Sequence, residues 1–544
     1  LMASLWFGKC KPDMNVYLEP FVEECRSLWS DGVQWVDPLS GNDRISKIYT
    51  TSAVCDSVAR PLMQNMMQFN GYQGCGFCKN PGVTVSKGRG FVRVYPYRRE
   101  STLRNYIETV ECAEQALDSQ QPIFGVKGPS VLYNIPKFDI VENFVPDYMH
   151  CVLLGVVRQM MALWLDSQYH TERYYLAAHI DNLDFRLLSI KPPCNISQVP
   201  RSVTLRKYWK APEWYAWLIF YSVPVLKGIL PQKYFNHWCL LVEAVSIMLG
   251  ESIFTNQLDY CSDVLVRFVV LLEKLYGVQH VSYNVHLLLH LVKSVKDWGP
   301  LWAHSAFLYE SYNGCLLKMI KGTQGVPLQI CKKFLIEKAL PLHATEMAGT
   351  PKGELLNYFI GTNRKIKFAE EIEGGAALGR SCQRVLKREH YLALHSFVDE
   401  VDPTIIATYY DRIVIGKEIV HTKLYTKAKK RNSYTVILKD SSFFSIETFV
   451  ILDRGCGRKC YALGRVFQNR NFKICSDNAL NIGLSHIFPV SPELGHLVAV
   501  DSCVIQQKCV LYIYLAKLLL LFANSQTVLN CADRFLLVSI CVIS

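Results

Sequence analysis

No apolar stretch of this sequence reaches about twenty residues without a charge or a proline, which argues against membrane-spanning helices. Internal repeats are absent, so a solenoid or a propeller is not expected. The cysteines keep no regular spacing. No second C-x-x-C lies at finger distance from the pair at Cys75 and Cys78, so neither a disulfide framework nor a self-contained zinc finger is indicated. Charge is also sparse, at 19% of residues against 50% hydrophobic, which excludes a disordered chain and points to large buried cores.

At 544 residues two or three domains are expected. Lys and Arg number 59 against 47 Asp and Glu, a net charge of +12 that permits a polyanionic partner without demanding one. The opening residues LMASLWFGKCKPDMNVYLEP do not read as a secretory signal. The twenty cysteines are therefore expected to be reduced and intracellular, a few of them on metal.

Residues 1–60 alternate between strand-like and helix-like pieces. SLWFG reads as the end of a strand. MNVYLEPFVEECRSLW repeats Val16, Phe21, Val22, Cys25 and Leu28 at helical spacing, and ISKIYTTSAVCDSVAR reads as a strand ending on Asp56. Residues 61–146 look loop-rich. Four apolar segments then follow, CVLLGVVRQMMALWLD, WYAWLIFYSVPVLKGIL, YFNHWCLLVEAVSIML and LDYCSDVLVRFVVLLEKLYG, each of helix length. From about residue 400 short β-rich runs separated by polar turns predict a small β domain, with TKAKKRNS as a basic hairpin tip. The apolar tail from Cys509 to Ala523 suits a buried helix, a tail anchor or translated non-coding sequence.

The chemistry starts at GYQGCGFCKNPG, residues 71–82. A redox C-x-x-C should open an apolar helix, but a loop follows, so half of a structural zinc site fits better. The other ligands must come from far along the chain. His286 and His290, spaced i, i+4, share one helix face and can reach one ion, although two unliganded histidines on an amphipathic helix are the plainer alternative. Asp56 at a strand end and Glu310, 20 residues after His290, are candidate carboxylates for two Mg²⁺ ions; singly, each suits a solvated acid. Asp147 and His150 form a D-x-x-H pair of unclear role.

In this order the constellation resembles the cut-and-paste DNA transposases of the CACTA (En/Spm) group. The segments that carry the likeness are LWFGKCKPDMNVYLEPFVEE, GVQW, VCDSVAR, FNGYQGCGFCKNPG, GVKGPS, DYMHCVLLGV and NVHLLLHLV…WGPLWAHSAFLYES, within residues 1–340. The β-rich part to about residue 508 looks like the carboxy-terminal region of the same animal proteins. Asp56 precedes Cys75 by 19 residues and Cys78 by 22, offsets similar to those in the catalytic subunit of the antigen-receptor recombinase. That relative spaces its histidines by five where this chain has four, a difference of about 100° around a helix.

The resemblance implies a ribonuclease-H-like α/β core, incomplete at the amino end, with a large all-α insertion and a carboxy-terminal β-rich domain. The implied divisions are residues 1–150 (partial core with the C-x-x-C loop), 151–283 (all-α insertion), 284–345 (histidine pair and Glu310 helix), 346–400 (linker or helical), 401–508 (small β-rich domain) and 509–544 (apolar tail, native or not). Asp56 and Glu310 would be the second and third acids of a DDE triad that holds Mg²⁺ or Mn²⁺ for attack on a DNA phosphate. Cys75, Cys78, His286 and His290 would bind a structural zinc, and Arg60, Arg98, Arg99 and Lys127 would contact phosphates. The first acid of the triad lies upstream of the LWFG strand in the family, and no acid precedes Phe7 here. A fragment or a decayed element, inactive as it stands, is therefore expected. The implied partner is transposon terminal-repeat DNA, bound in the nucleus by a dimer or higher oligomer without membrane association. A non-enzymatic, zinc-stabilised DNA-binding or interaction protein derived from a transposase is the alternative.

Overall fold

The computed structural model describes residues 4–6, 8, 10–360, 369–398, 401–454, 457–470, 483–514 and 517–522. The protein is a mixed α/β chain that divides into two compact units. One holds residues up to Leu163 together with Leu240–Ala339; the other holds Trp164–Cys239 and the described residues from Leu340 to Phe522.

In the first unit, helix α1 (Met14–Ser30) starts where Asp13 accepts the backbone N–H groups of Asn15 and Val16, an N-cap that satisfies two orphan donors. Its Met14, Leu18, Val22 and Cys25 face inward at the spacing read from the sequence. A hairpin of β1 (Val33–Val36) and β2 (Asp43–Ser46) leads to β3 (Ala53–Cys55), which ends one residue before Asp56. Helix α2 (Ala59–Met63), the hairpin β4 (Val83–Lys87) and β5 (Gly90–Val94), and helix α3 (Tyr106–Ser119) follow. The last of these lies in a segment whose sequence reads as loop. Strand β6 (Phe144–Pro146) then runs parallel to β3 with Cys55 opposite Pro146. Parallel neighbours need a crossover, and here it spans the whole C-x-x-C loop, the hairpin and α3. The β3–β6 pair is buried with α1 and α2 over Leu18, Val22, Ala53, Met63, Leu132 and Phe144. Helices α4 (Thr255–Tyr276), α5 (Tyr283–Trp298) and α6 (Phe307–Lys318) complete the part that concerns function.

The second unit carries most of the β structure. Six antiparallel strands (Thr435–Leu438, Ile505–Tyr514, Lys517–Phe522, Ile487–Asp501, Gly457–Asn469 and Phe443–Arg454) pair in that order, and the last pairs back with the first. Ile406–Tyr410 and Cys382–Val385 extend this sheet, and a four-stranded sheet covers Ala369–Ile372 to Glu418–His421.

Several expectations need correction. Residues 4–6 form no strand, and Trp6 stays half exposed with its indole N–H on the Cys10 carbonyl; Phe7 lies outside the described residues. The apolar segment from Cys509 is strand, not helix, as far as Phe522, because Val510, Tyr512 and Ile513 are β-branched or aromatic and a short apolar run does not itself distinguish the two. Residues beyond 522 lie outside the described residues. The stretch 346–400 has helices at Pro351–Ile360 and Arg388–His395, but strands also begin there, at Ala369. TKAKKRNS joins strands of different sheets instead of closing a hairpin. The four apolar segments are helical, as expected. They do not form one insertion, however: Arg431 donates to the carbonyls of Pro193, Ile196 and Ser197, tying that stretch to the β-rich unit, while α4 packs on α5. No described helix is long and apolar enough to cross a membrane.

Phe144 is buried at the heart of the parallel pair, edge-on to Phe138 at 5.9 Å. Phe144→Ala should cost about 3–5 kcal/mol in denaturant unfolding, with an unchanged slope.

Candidate functional site

The C-x-x-C loop is built from its backbone outward. Gly74 runs so close to the preceding turn that a Cβ there would stand 2.1 Å from the Gln68 carbonyl oxygen, so no side chain fits. The buried Arg104 guanidinium then gathers the loop's carbonyls: Nε donates to Cys75 O at 2.8 Å, and Nη2 donates to Gln73 O at 3.1 Å and to Phe124 O at 2.6 Å. Backbone bonds from Arg104 N to Phe77 O and from Lys79 N to Thr102 O fix the turn on either side of Cys78. Both thiols are thereby held pointing inward and buried.

Helix α5 faces them. Ser282 caps its start by accepting Val285 N–H, and the i, i+4 spacing puts His286 and His290 on one buried face. The Tyr95 ring stacks on His286, and Phe77 tilts against His290, both at 5.2 Å between centroids. Cys78 Sγ stands 3.3 Å from His286 Nε2, Cys75 Sγ stands 3.6 Å from His290 Nε2, and the two Nε2 atoms are 3.3 Å apart. All four ligand atoms lie within 4.8 Å of one another. A tetrahedron with metal–sulfur bonds of about 2.3 Å and metal–nitrogen bonds of about 2.05 Å has S···N edges of about 3.5 Å and N···N edges of about 3.3 Å. The group therefore has the donor atoms and the edge lengths to hold a metal such as zinc. The four-residue histidine spacing brings the two Nε2 atoms to that edge length.

Burial alone would raise the Cys75 pKa, but the Cys78 thiol donated to it and the two nearby imidazoles outweigh burial and hold it well below the ordinary thiol value. Cys78 is pushed far up by the Cys75 charge it bonds and by burial. Burial lowers His290, which keeps its imidazole neutral and able to ligate. A cation that entered would displace the proton left on Cys78.

Arg60, expected on DNA phosphate, is elsewhere employed. It is 1% exposed, its Nη2 donates to Tyr283 Oη at 2.6 Å, and its guanidinium lies 4.5 Å over the Phe77 ring, so it braces the loop against α5. Arg98 and Arg99 are exposed and line an open depression of about 410 Å³ with Lys79 and Thr102; Lys127 is also exposed.

The acids assemble differently from the thiols. Asp56 and Asp147 leave the same ends of the parallel strands β3 and β6. Asp56 Oδ1 accepts the backbone N–H groups of Val58 and Ala59. Asp147 is 3% exposed and uses both oxygens: Oδ1 accepts Ala306 N–H at 2.9 Å, and Oδ2 accepts His150 N–H at 2.9 Å and pairs with His150 Nδ1 at 2.6 Å. Ala306 is the N-cap residue of α6 and has no side chain able to cap; Asp147 accepts its backbone N–H, one of the donors a helix start leaves free, from 159 residues away, while Ser305 Oγ accepts that of Phe307. Glu310, exposed in the first turn of α6, is aligned by the same contact. The sequence marked the D-x-x-H pair without a role; the role depends on a backbone N–H, which leaves no signature.

The chain matches no known protein family and no curated protein.

The carboxylates thus share a region but do not converge as ligands. Among the described residues, three or more metal-ligating groups meet only at the Cys/His group. Burial disfavours the charged form of His150, but the bond to Asp147, followed by the charges of Asp147, Asp56 and Glu310, outweighs it and raises its pKa above the ordinary value. A raised folded-state pKa means that His150 contributes its full stabilisation below about pH 6.5 and loses it as pH rises through the folded value. Asp147→Asn should return the His150 ring titration, followed by NMR, toward the free-histidine value. Asp147→Ala should cost about 2–4 kcal/mol of stability.

Proposed function

We propose that this protein derives from a DDE-type DNA transposase of the CACTA kind, that it acts on DNA in the nucleus, and that Cys75, Cys78, His286 and His290 hold a structural zinc. The observation that carries this reading is the convergence of the four ligands across more than 200 residues, next to a parallel strand pair that ends in Asp56 and Asp147. A ribonuclease-H-like core presents its acids at such strand ends, with the last on a later helix, as Glu310 is on α6. Joining two transposon ends would call for a dimer or a larger assembly.

Zinc fits the site by donor type and edge length. It would neutralise the two thiolates and lock the C-x-x-C loop to α5, joining the crossover that follows β3 to a helix more than 200 residues further along the chain. Magnesium fits less well. Asp56 spends one oxygen on its own turn, Asp147 spends both, and Glu310 stands in solvent, so the three carboxylates are not arranged as a ready-made cation site. That favours the second reading, a zinc-stabilised DNA-binding protein that keeps the scaffold of a transposase.

Elemental analysis of protein purified without added metal should find one zinc per chain, and Cys75→Ser with His290→Gln should abolish it. Chelation should lower the thermal midpoint by roughly 5–10 °C, corresponding to about 2.7 kcal/mol at a metal level 100 times Kd. A metal-free protein of unchanged stability would defeat the zinc assignment.

The two DNA readings separate by activity. An enzyme should nick terminal-repeat DNA in Mg²⁺ or Mn²⁺ and lose at least a hundredfold in rate with Asp56→Asn or Glu310→Gln. Binding without nicking, unaffected by those substitutions, would assign the non-enzymatic role.

A further inference from the structure

Between Gly82 and Arg99 the chain carries Lys87, Arg89, Arg93, Arg98 and Arg99 and no acidic residue. This is the β4–β5 hairpin and the irregular segment leading from it. Its register pairs Val83 with Val94, Thr84 with Arg93, Val85 with Val92, Ser86 with Phe91 and Lys87 with Gly90. Alternation sends the four valines and, at the open end, Lys87 to one face and Thr84, Ser86, Phe91 and Arg93 to the other, so a cation and the Phe91 ring flank the tip on its two sides. The valine face is the more buried, with Val94 fully so. On the outer face Phe91 is 82% exposed and stands opposite a serine, so nothing across the hairpin covers its ring. The turn is Gly88–Arg89, and a Cβ built at Gly88 or Gly90 would meet nothing within 4 Å. The turn is therefore open to solvent at its glycines, while Lys87 lies near enough to the buried His280 for its charge to act on that ring; among the described residues neither Lys87 nor Arg89 is ion-paired.

The root of the hairpin is fixed. Tyr95 donates its N–H to Val281 O and its hydroxyl to Phe69 O at 2.6 Å, and its ring lies against the candidate metal ligand His286. Arg93 bonds Pro81 O at 3.0 Å. The result is a stiff two-stranded arm with cations at its end and one flat apolar ring among small polar neighbours.

We propose that this hairpin is a DNA-contacting arm in which Lys87 and Arg89 sit on backbone phosphates and Phe91 stacks on an unpaired or unstacked base. Unneutralised cations supply the sequence-independent attraction to phosphate, and an exposed aromatic beside them supplies a stacking platform that any base can use. The proposal rests on the DNA-partner reading above and adds which residues touch the DNA and which DNA structure is preferred. It also gives the metal site a second task, since His286 is part of the footing that aims the arm.

The test uses the full chain with two fluorescein-labelled DNA probes, an intact duplex and the same duplex with a central unpaired loop, titrated by anisotropy over a range of salt. The unaltered protein should prefer the looped probe. Lys87→Gln with Arg89→Gln should weaken both probes about tenfold and reduce the slope of log K against log salt by about 2, close to 0.9 for each phosphate no longer neutralised. Phe91→Ala should weaken the looped probe about tenfold and the intact duplex less, leaving the salt slope unchanged. Variants that bind both probes as the unaltered protein does would overturn the arm while leaving DNA binding in place. Failure of the unaltered protein to bind either probe would instead remove the DNA-partner reading and the arm with it. Phe91-dependent sedimentation with phosphatidylserine vesicles, without preference for the looped probe, would overturn the proposal in favour of a membrane-surface role.

Discussion

Four side chains from two places more than 200 residues apart meet in a buried pocket at tetrahedral spacing, and the first unit is organised around that meeting. The loop after α2 has little of its own to hold it: its glycines remove side chains that could pack, and its carbonyls are satisfied mainly by one arginine. What fixes it is the face of α5. Because both histidines project from one helical turn and both cysteines from one tight turn, moving either partner would disturb all the ligand distances together. The clasp is therefore cooperative in the geometric sense, and the aromatic rings of Phe77 and Tyr95 make it stiffer by filling the space around the imidazoles.

Buried cationic groups gather around this clasp. Arg60 and Arg104 both lie inside, and neither forms an ion pair with a carboxylate among the described residues. Arg104 meets backbone carbonyls; Arg60 meets a phenol and an aromatic face. Such groups are tolerable in a low-dielectric interior when negative charge is near, and the thiols provide it. The two arginines and the two cysteines are best understood together: the cations favour a thiolate at Cys75, and the thiolate in turn makes the cations less costly to bury.

Much of this could be read from residue order, and what could not has physical reasons. The histidine pair announced itself by helical spacing, and the cysteine pair by its turn; that the two belong together came from resemblance, because nothing local to residue 75 refers to residue 286. Asp56 stands just past a strand end, as its sequence suggests. The burial of Arg60 is not legible, because an arginine in a chain of unknown fold is far more often at the surface than beneath a phenylalanine. The strand from Cys509 is hidden because a short apolar run has the same composition in a central strand as in a helix. The tie from Asp147 to Ala306 was invisible, since a backbone N–H is present at every residue except proline and carries no sequence mark.

That tie also couples the start of one helix to the end of one strand. The beginning of α6 draws on two side-chain acceptors, Ser305 beside it and Asp147 from 159 residues away. Asp147 stands where it does because β6 is paired with β3 and buried with α1. A change that shifts β6 therefore reaches the helix bearing Glu310 without touching Glu310 itself.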